Sequence, residues 1–215
     1  MNDAEIYEAR LEIVDFLVEV FYDAPEEAFV DRLLSGDLQV PDGGVNDHMD
    51  RGFRRLERFV EANRDRDPET VATELGREYT RLFVGPRPPV LPHETYYRED
   101  TALIGEGLAE VEASYSAAGW APPEDYPEEN DFIAVELAFL RNLIDRQRTG
   151  HEETFGFERV FLDEHLLRWY EPFLADLDDE LDPDEAEGDL FLAAGEVFAG
   201  FVEFEDELVA QQVPS

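Results

Sequence analysis

The sequence predicts an all-α protein. Three observations lead there. Apolar residues recur at helical spacing over most of the 215 residues, and no stretch alternates apolar and polar residues for long enough to make a strand. Capping residues, glycines and prolines mark where helices start and stop. The pattern divides into about eight or nine helices, as one helical domain over 1–215 or two lobes sharing a core.

The first helix is expected from Asp3 to Phe21, capped by Asn2 or Asp3, with Ile6, Leu11, Val14, Leu17, Val18 and Phe21 on its apolar side. A second, short helix follows Pro25, which suits a first helical position, and ends near Gly36. "QVPDGGVND" is a loop. A third helix runs from Asp47 to Asn63 through Met49, Phe53, Leu56 and Val60. Asp67-Pro68 opens a fourth, which carries Val71, Leu75, Tyr79 and Leu82 before "GPRPPVLP" interrupts it.

A fifth helix is expected from Glu99 or Asp100 to Gly119. The connector "WAPPEDYP", residues 120–127, is stiffened by Pro122, Pro123 and Pro127 and is where a hinge would fall. The sixth helix covers Glu128 to Arg148. One or two more lie between Phe155 and Leu177, bent or broken near Pro172. The last follows Asp182-Pro183 and carries Leu190, Phe191, Ala194, Val197, Phe198 and Phe201.

Charge limits what the chain can bind. There are 54 acidic and 17 basic residues, a formal net charge of −37, and every basic residue is Arg. An aromatic fraction of 12% separates the chain from disordered acidic sequences. Carboxylates in place of strongly hydrated ammonium groups are what proteins of high-salt cytoplasms carry, so a halophilic protein is expected. At 1 M salt the Debye length is about 3 Å, which leaves recognition to apolar contacts and close charge pairs. Nucleic acid is excluded as a partner, because no basic patch exists to release its counterions.

Cysteine is absent, which removes disulfides, thiolate metal sites and a Cys nucleophile. The acidic start "MNDAEIYEAR" has no signal-peptide pattern, and no apolar run reaches the ~18 residues of a membrane span. A soluble, cytoplasmic protein without stable membrane insertion is expected.

Motifs for catalysis are scarce. None of His48, His93, His151 and His165 follows a Glu by three residues, so the carboxylate-bundle metal pattern is missing. A Walker loop needs the Lys that the chain lacks, and no Gly-x-Ser-x-Gly elbow exists. A Ser-His-Asp site is not excluded, but the four Ser and four His stand in no recognisable context. No cofactor, no metal and no enzymatic activity are expected. The rival readings are a metal-assisted hydrolase using clustered acids and a scaffold that binds a folded partner.

The sixth helix is the most informative. Phe132, Ile133, Val135, Leu137, Phe139, Leu140, Leu143 and Ile144 fill a broad apolar arc, the mark of a central, buried helix. Glu136 falls in the middle of that arc, where a carboxylate is costly unless paired. It is either a structural acid, paired with an Arg or capping a loop, or a polar anchor under a binding groove. Asp131 is either a cap of this helix or an exposed acid that receives an Arg from a partner peptide. Within "EYTRLFVGPRPPVLP", residues 78–92, Tyr79, Leu82 and Phe83 are core residues, the floor of a peptide groove, or both. Pro86, Pro88, Pro89 and Pro92 preorder the segment that follows as a rigid crossover or a groove wall.

"EYTRLFVGP" followed by "LPHETYY" resembles the signature of the TorD/DmsD family of cytoplasmic molybdoenzyme-maturation chaperones, related to the NarJ group. "EENDFIAVELAFL" is similar to that family's second signature, and "VEVFYDAP" looks like its opening helix. The resemblance implies an all-helical chaperone with no catalytic centre. It would bind the precursor of a molybdopterin oxidoreductase subunit, often through a twin-arginine signal peptide, until cofactor loading is complete. The residues it carries over are Tyr79, Leu82, Phe83, Gly85, Pro86, Pro92, Tyr97, Asp131 and Glu136; Phe132 would enlarge the apolar groove.

Two departures stand out. The family has His where this chain has Phe132, and an aromatic or apolar residue is common where it has His93. The client's identity, an exported against a membrane-bound client, and monomer against domain-swapped dimer are all left open.

Overall fold

A computed structural model describes residues 3–36, 44–98, 104–123, 126–181 and 190–212. Among them the chain is all-α, in nine continuous helical stretches. The only extended pairing among the described residues is a single bridge between His93 and Phe132. The chain forms two compact units, residues 1–18, 92–170 and 202–215, and residues 19–91 and 171–201. Residues 120–127 belong to the first unit.

The order is α1 (Asp3–Tyr22), α2 (Glu27–Ser35), α3 (Asp47–Asn63) and α4 (Pro68–Tyr79), which widens into a π turn over Thr80–Val84. Then come α5 (Glu94–Tyr97), α6 (Ile104–Ala117), α7 (Ile133–Arg148) and α8 (Thr154–Phe161). A second π turn, Leu162–Leu166, joins α8 to α9 (Leu167–Glu180), and α10 is Leu190–Gln212. No helix among the described residues is long and apolar enough to cross a membrane.

Caps account for the boundaries read from sequence. The Asn46 side chain accepts the Met49 N–H at 2.9 Å and starts α3. Asp67 does the same for Thr70 at 3.1 Å, with Pro68 at the head of α4. Three expectations are corrected. The sixth helix starts at Ile133 rather than Glu128, because Ile133 N–H donates to the Pro92 carbonyl and Phe132 N–H to that of Glu129. The irregularity expected at Pro172 lies at the π turn instead, and Pro172 sits inside α9. Pro25 precedes the cap residue Glu26 rather than opening α2. The expected starts at Glu99 or Asp100 and at Asp182-Pro183 lie outside the described residues.

In the unit of residues 19–91 and 171–201, α2 packs on α3 and α4. Asn46 also donates to the Gly200 carbonyl at 2.7 Å, tying the start of α3 to α10. These two helices touch through glycine. A Cβ on Gly52 would stand 2.6 Å from Val197 Cγ2 and 2.8 Å from the Ala193 carbonyl oxygen. Phe21, Tyr79, Phe83, Phe173 and Phe191 form an aromatic cluster at this unit's centre.

In the unit of residues 1–18, 92–170 and 202–215, α7 is the buried centre that its arc implied, and it packs on α8. A buried network closes this unit. Arg10 donates to Glu205 at 3.0 Å, to Gln147 at 3.0 Å and to Glu158 at 3.1 Å.

Candidate functional site

The residues expected to recognise a peptide fall into two sets, one in each unit. Tyr79, Leu82, Phe83, Gly85 and Pro86 belong to residues 19–91. Tyr79, Leu82 and Phe83 are buried. The Tyr79 hydroxyl donates to the Phe21 carbonyl at 3.0 Å, and the Phe83 ring meets those of Tyr79 and Phe191 at 5.2 and 5.6 Å. They are core residues of their unit. The π turn explains the change that follows: it ends with Gly85 N–H on the Thr80 carbonyl and leaves Val84 59% exposed. The proline segment then folds back, with Val90 N–H on the Leu82 carbonyl at 3.2 Å. Pro86 is exposed at its tip.

A hollow of about 360 Å³ in the same unit is lined by Leu33, Gly36, Leu56, Glu57, Val60, Glu61 and Arg64. None of the expected residues lines it.

Pro92, Tyr97, Asp131, Phe132 and Glu136 belong to the other unit, and Asp131 is where the structure departs most from expectation. It is buried, not exposed, and it does not cap α7, whose N-cap is Phe132. Its Oδ1 lies 3.0 Å from His93 Nδ1. Its Oδ2 accepts Thr95 N–H at 3.2 Å and Thr95 Oγ1–H at 2.5 Å. Its carbonyl accepts Glu94 N–H at 3.0 Å. Asp131 thus holds the start of α5, a neighbour distant in sequence. Burial alone would raise its pKa, but the hydrogen bonds from His93 and Thr95 outweigh it and the net shift is downward.

Glu136 is fully buried, and its partner is neither an Arg nor a loop backbone. Trp169 Nε1 donates to its Oε2 at 3.1 Å, and the Trp169 ring stacks on Tyr97 at 5.9 Å and 16°. Glu136 Oε1 has no hydrogen-bond partner among the described residues. Burial, then the charge of Glu94, pushes the Glu136 pKa well up, and a proton there lets it donate to Glu94.

Glu94 in turn accepts Arg98 at 2.8 Å and faces His165 Nδ1 at 2.9 Å. His165 Nε2 meets Ser114 Oγ at 2.9 Å. Spacing in the sequence could not show this Ser114–His165–Glu94 chain, since its members are contributed by α6, the second π turn and α5. The distances match those of a serine triad. However, Ser114 lies inside α6, where its own N–H belongs to the helix ladder and cannot serve as an oxyanion donor.

The two departures from the expected motif prove to be neighbours. His93 and Phe132 form the single bridge, with ring centroids 5.2 Å apart. His93 brings its imidazole to Asp131, with the Phe132 ring against it. Thr95, Glu94, His165 and Trp169, whose roles local spacing does not reveal, meet Asp131, His165, Glu94 and Glu136, all at least 33 positions away.

Among the described residues, no group of three His, Asp or Glu side chains is arranged to hold a metal ion. Residues 46–175 match the family described as nitrate reductase delta subunit. The chain is 27% identical over 173 residues to the chaperone protein TorD of Vibrio cholerae serotype O1 (strain ATCC 39541 / Classical Ogawa 395 / O395), covering 77% of this chain and 78% of that one. It is 28% identical over 174 residues to chaperone protein TorD of Vibrio vulnificus (strain YJ016), covering 77% and 80%. With that of Vibrio atlanticus (strain LGP32) it shares 29% over 126 residues, covering 55% and 59%.

Proposed function

The chain belongs to the nitrate reductase delta subunit family, and from that premise we propose that it is a dedicated chaperone of molybdoenzyme maturation. It binds the precursor of a molybdopterin oxidoreductase catalytic subunit and holds it until cofactor insertion and export or assembly. The observation that carries this reading is the family match, which spans both signature segments; relatives named as TorD chaperones along most of the chain add to it.

The client's signal peptide is the segment engaged, and the chaperone works in the cytoplasm, at high salt. Gly85 and Pro86, beside the exposed Val84, meet the client's apolar stretch while Tyr79, Leu82 and Phe83 support them from beneath. In the other unit, Pro92, Tyr97, Asp131, Phe132 and Glu136 shape the segment that starts at Pro92. Short-range apolar contact suits a protein of net charge −37, because salt at multimolar strength extinguishes longer-range attraction.

Affinity purification from the native cell at native salt tests this. The expected result is co-purification of a molybdopterin oxidoreductase subunit still carrying its leader. Capture that survives deletion of the leader moves the contact to the body of the client. Stoichiometric metal after dialysis, or turnover on a substrate panel, overturns the chaperone reading in favour of a hydrolase.

A further inference from the structure

Asp131 is the acid most suited by position to meet a client arginine, yet its surroundings forbid it. The residue is 2% exposed, and both carboxylate oxygens are occupied by His93 and Thr95. Accepting an incoming guanidinium would mean giving up donors that already satisfy the carboxylate in a buried place.

What those donors hold is α5. A helix of four residues has too few internal hydrogen bonds to stand alone. Asp131 takes its first amides, Glu94 N–H on the carbonyl and Thr95 N–H on the carboxylate. Its interior side is fixed by the Glu94–His165 contact and by the Tyr97–Trp169 stack. One side chain of α5 points away from all of this. Tyr96 is 56% exposed, and its ring stands perpendicular to Tyr97 at 5.0 Å. Tyr96 N–H donates to the His93 carbonyl at 3.1 Å, and the exposed Glu128 carboxylate lies 3.8 Å from the His93 ring. Tyr96 is thus tied to His93 through its backbone, and the exposed Glu128 to the His93 ring.

We propose that Tyr96, together with the Glu128 carboxylate on the His93 ring, is a contact for an arginine-bearing segment of the client, and that Asp131 is a positioning residue that acts through Tyr96 by fixing α5. The occupant follows from charge and chemistry. A guanidinium stacks on a tyrosine ring and pairs with a carboxylate at close range, a combination that salt screens little. The proposal rests on the reading of the chain as a leader-binding chaperone.

The test is a double-mutant cycle in multimolar KCl. The probe is a fluorescent synthetic peptide of two arginines followed by a leucine–alanine run, followed by anisotropy. Tyr96→Ala and Asp131→Asn should each weaken binding roughly tenfold, and the double variant no more than Tyr96→Ala alone. Tyr96→Phe, which keeps the ring, should bind like the unaltered protein, whereas Tyr96→Leu should not. Thr95→Val, which takes one donor from the same carboxylate, should reproduce Asp131→Asn if that variant folds poorly.

Multiplying losses in the double variant, or full binding by Tyr96→Ala, overturns the proposal and leaves the leader reading intact. A peptide that the unaltered protein ignores removes the leader reading, and this proposal with it.

Discussion

His93 and Phe132 face each other ring against ring, 5.2 Å between centroids at 58°, and His93 carries its Nδ1 to Asp131. Imidazole and phenyl ring fill one site in the reverse of the order the related motif leads one to expect. His93→Phe alone should cost about 1–3 kcal/mol by leaving the buried Asp131 short of a donor. Adding Phe132→His should recover part of that loss. Urea denaturation of the two variants measures both, and a double variant less stable than the single one would show that the exchange is not tolerated.

Glu136 and Glu158 predict the pH dependence. Burial first, and a neighbouring carboxylate second, raises each well above the ordinary glutamate range. The folded chain therefore keeps protons that the unfolded chain has lost. Their contribution is intact below the ordinary carboxylate pKa, near 4.3, and is lost as pH rises through the raised folded values. Glu136→Gln and Glu158→Gln should each flatten this decline, so melting curves at mildly acid and alkaline pH should converge. A variant that declines with pH as steeply as the parent would show that its glutamate holds no proton there.

The Ser114–His165–Glu94 chain should be structural. A fluorophosphonate probe should label Ser114 no faster than the other serines, because its own backbone N–H lies in the α6 ladder and cannot serve as an oxyanion donor. Replacing His165 by Leu should cost about 1–3 kcal/mol, since it takes one of the partners of the buried Glu94 and leaves Arg98 as the other. Labelling of Ser114 that depends on His165, read by mass spectrometry, would make it a nucleophile.

Gly52→Ala should destabilise the unit of residues 19–91 and 171–201 by about 1–3 kcal/mol. The new Cβ would meet the Val197 amide nitrogen at 2.7 Å, a backbone atom with nowhere to retreat. Calorimetric melting reads the loss, and an unchanged transition would mean that α3 and α10 shift apart at little cost.

Leu82→Asp with Phe83→Asp should unfold this same unit, since both side chains are buried and a stranded charge there is severely costly. Val84→Asp is the informative change. It leaves the fold intact by circular dichroism, and it should lower client binding measured by calorimetry at high salt.

The legible part of the molecule is the part written in local code. Asn46, and Asp67 with Pro68, announce α3 and α4, and the arc of α7 announces the burial of Glu136. Alpha5 was not legible, because four residues carry no periodicity and the cap that holds them, Asp131, lies far along the chain. The second π turn was missed for a similar reason. Its extra residue per turn turns His165 toward Glu94, a partner 71 positions away, whereas Pro172 offered a louder local signal and proved harmless inside α9. Asp131 was misread because its composition suits both a cap and a salt-bridge partner, and only the fold shows which amides it meets.

The guanidinium of Arg10 has a bearing on the order of synthesis. Its principal partner, Glu205, lies 195 positions downstream. A ribosome delivers Arg10 well before Glu158 and Glu205, so until those residues emerge the α1 side of that network has no counter-charge. The unit of residues 1–18, 92–170 and 202–215 therefore closes after the unit of residues 19–91 and 171–201, whose last residues precede Glu205. A nascent chain halted before Glu205 should be cut by protease within residues 92–170 and not within α2–α4.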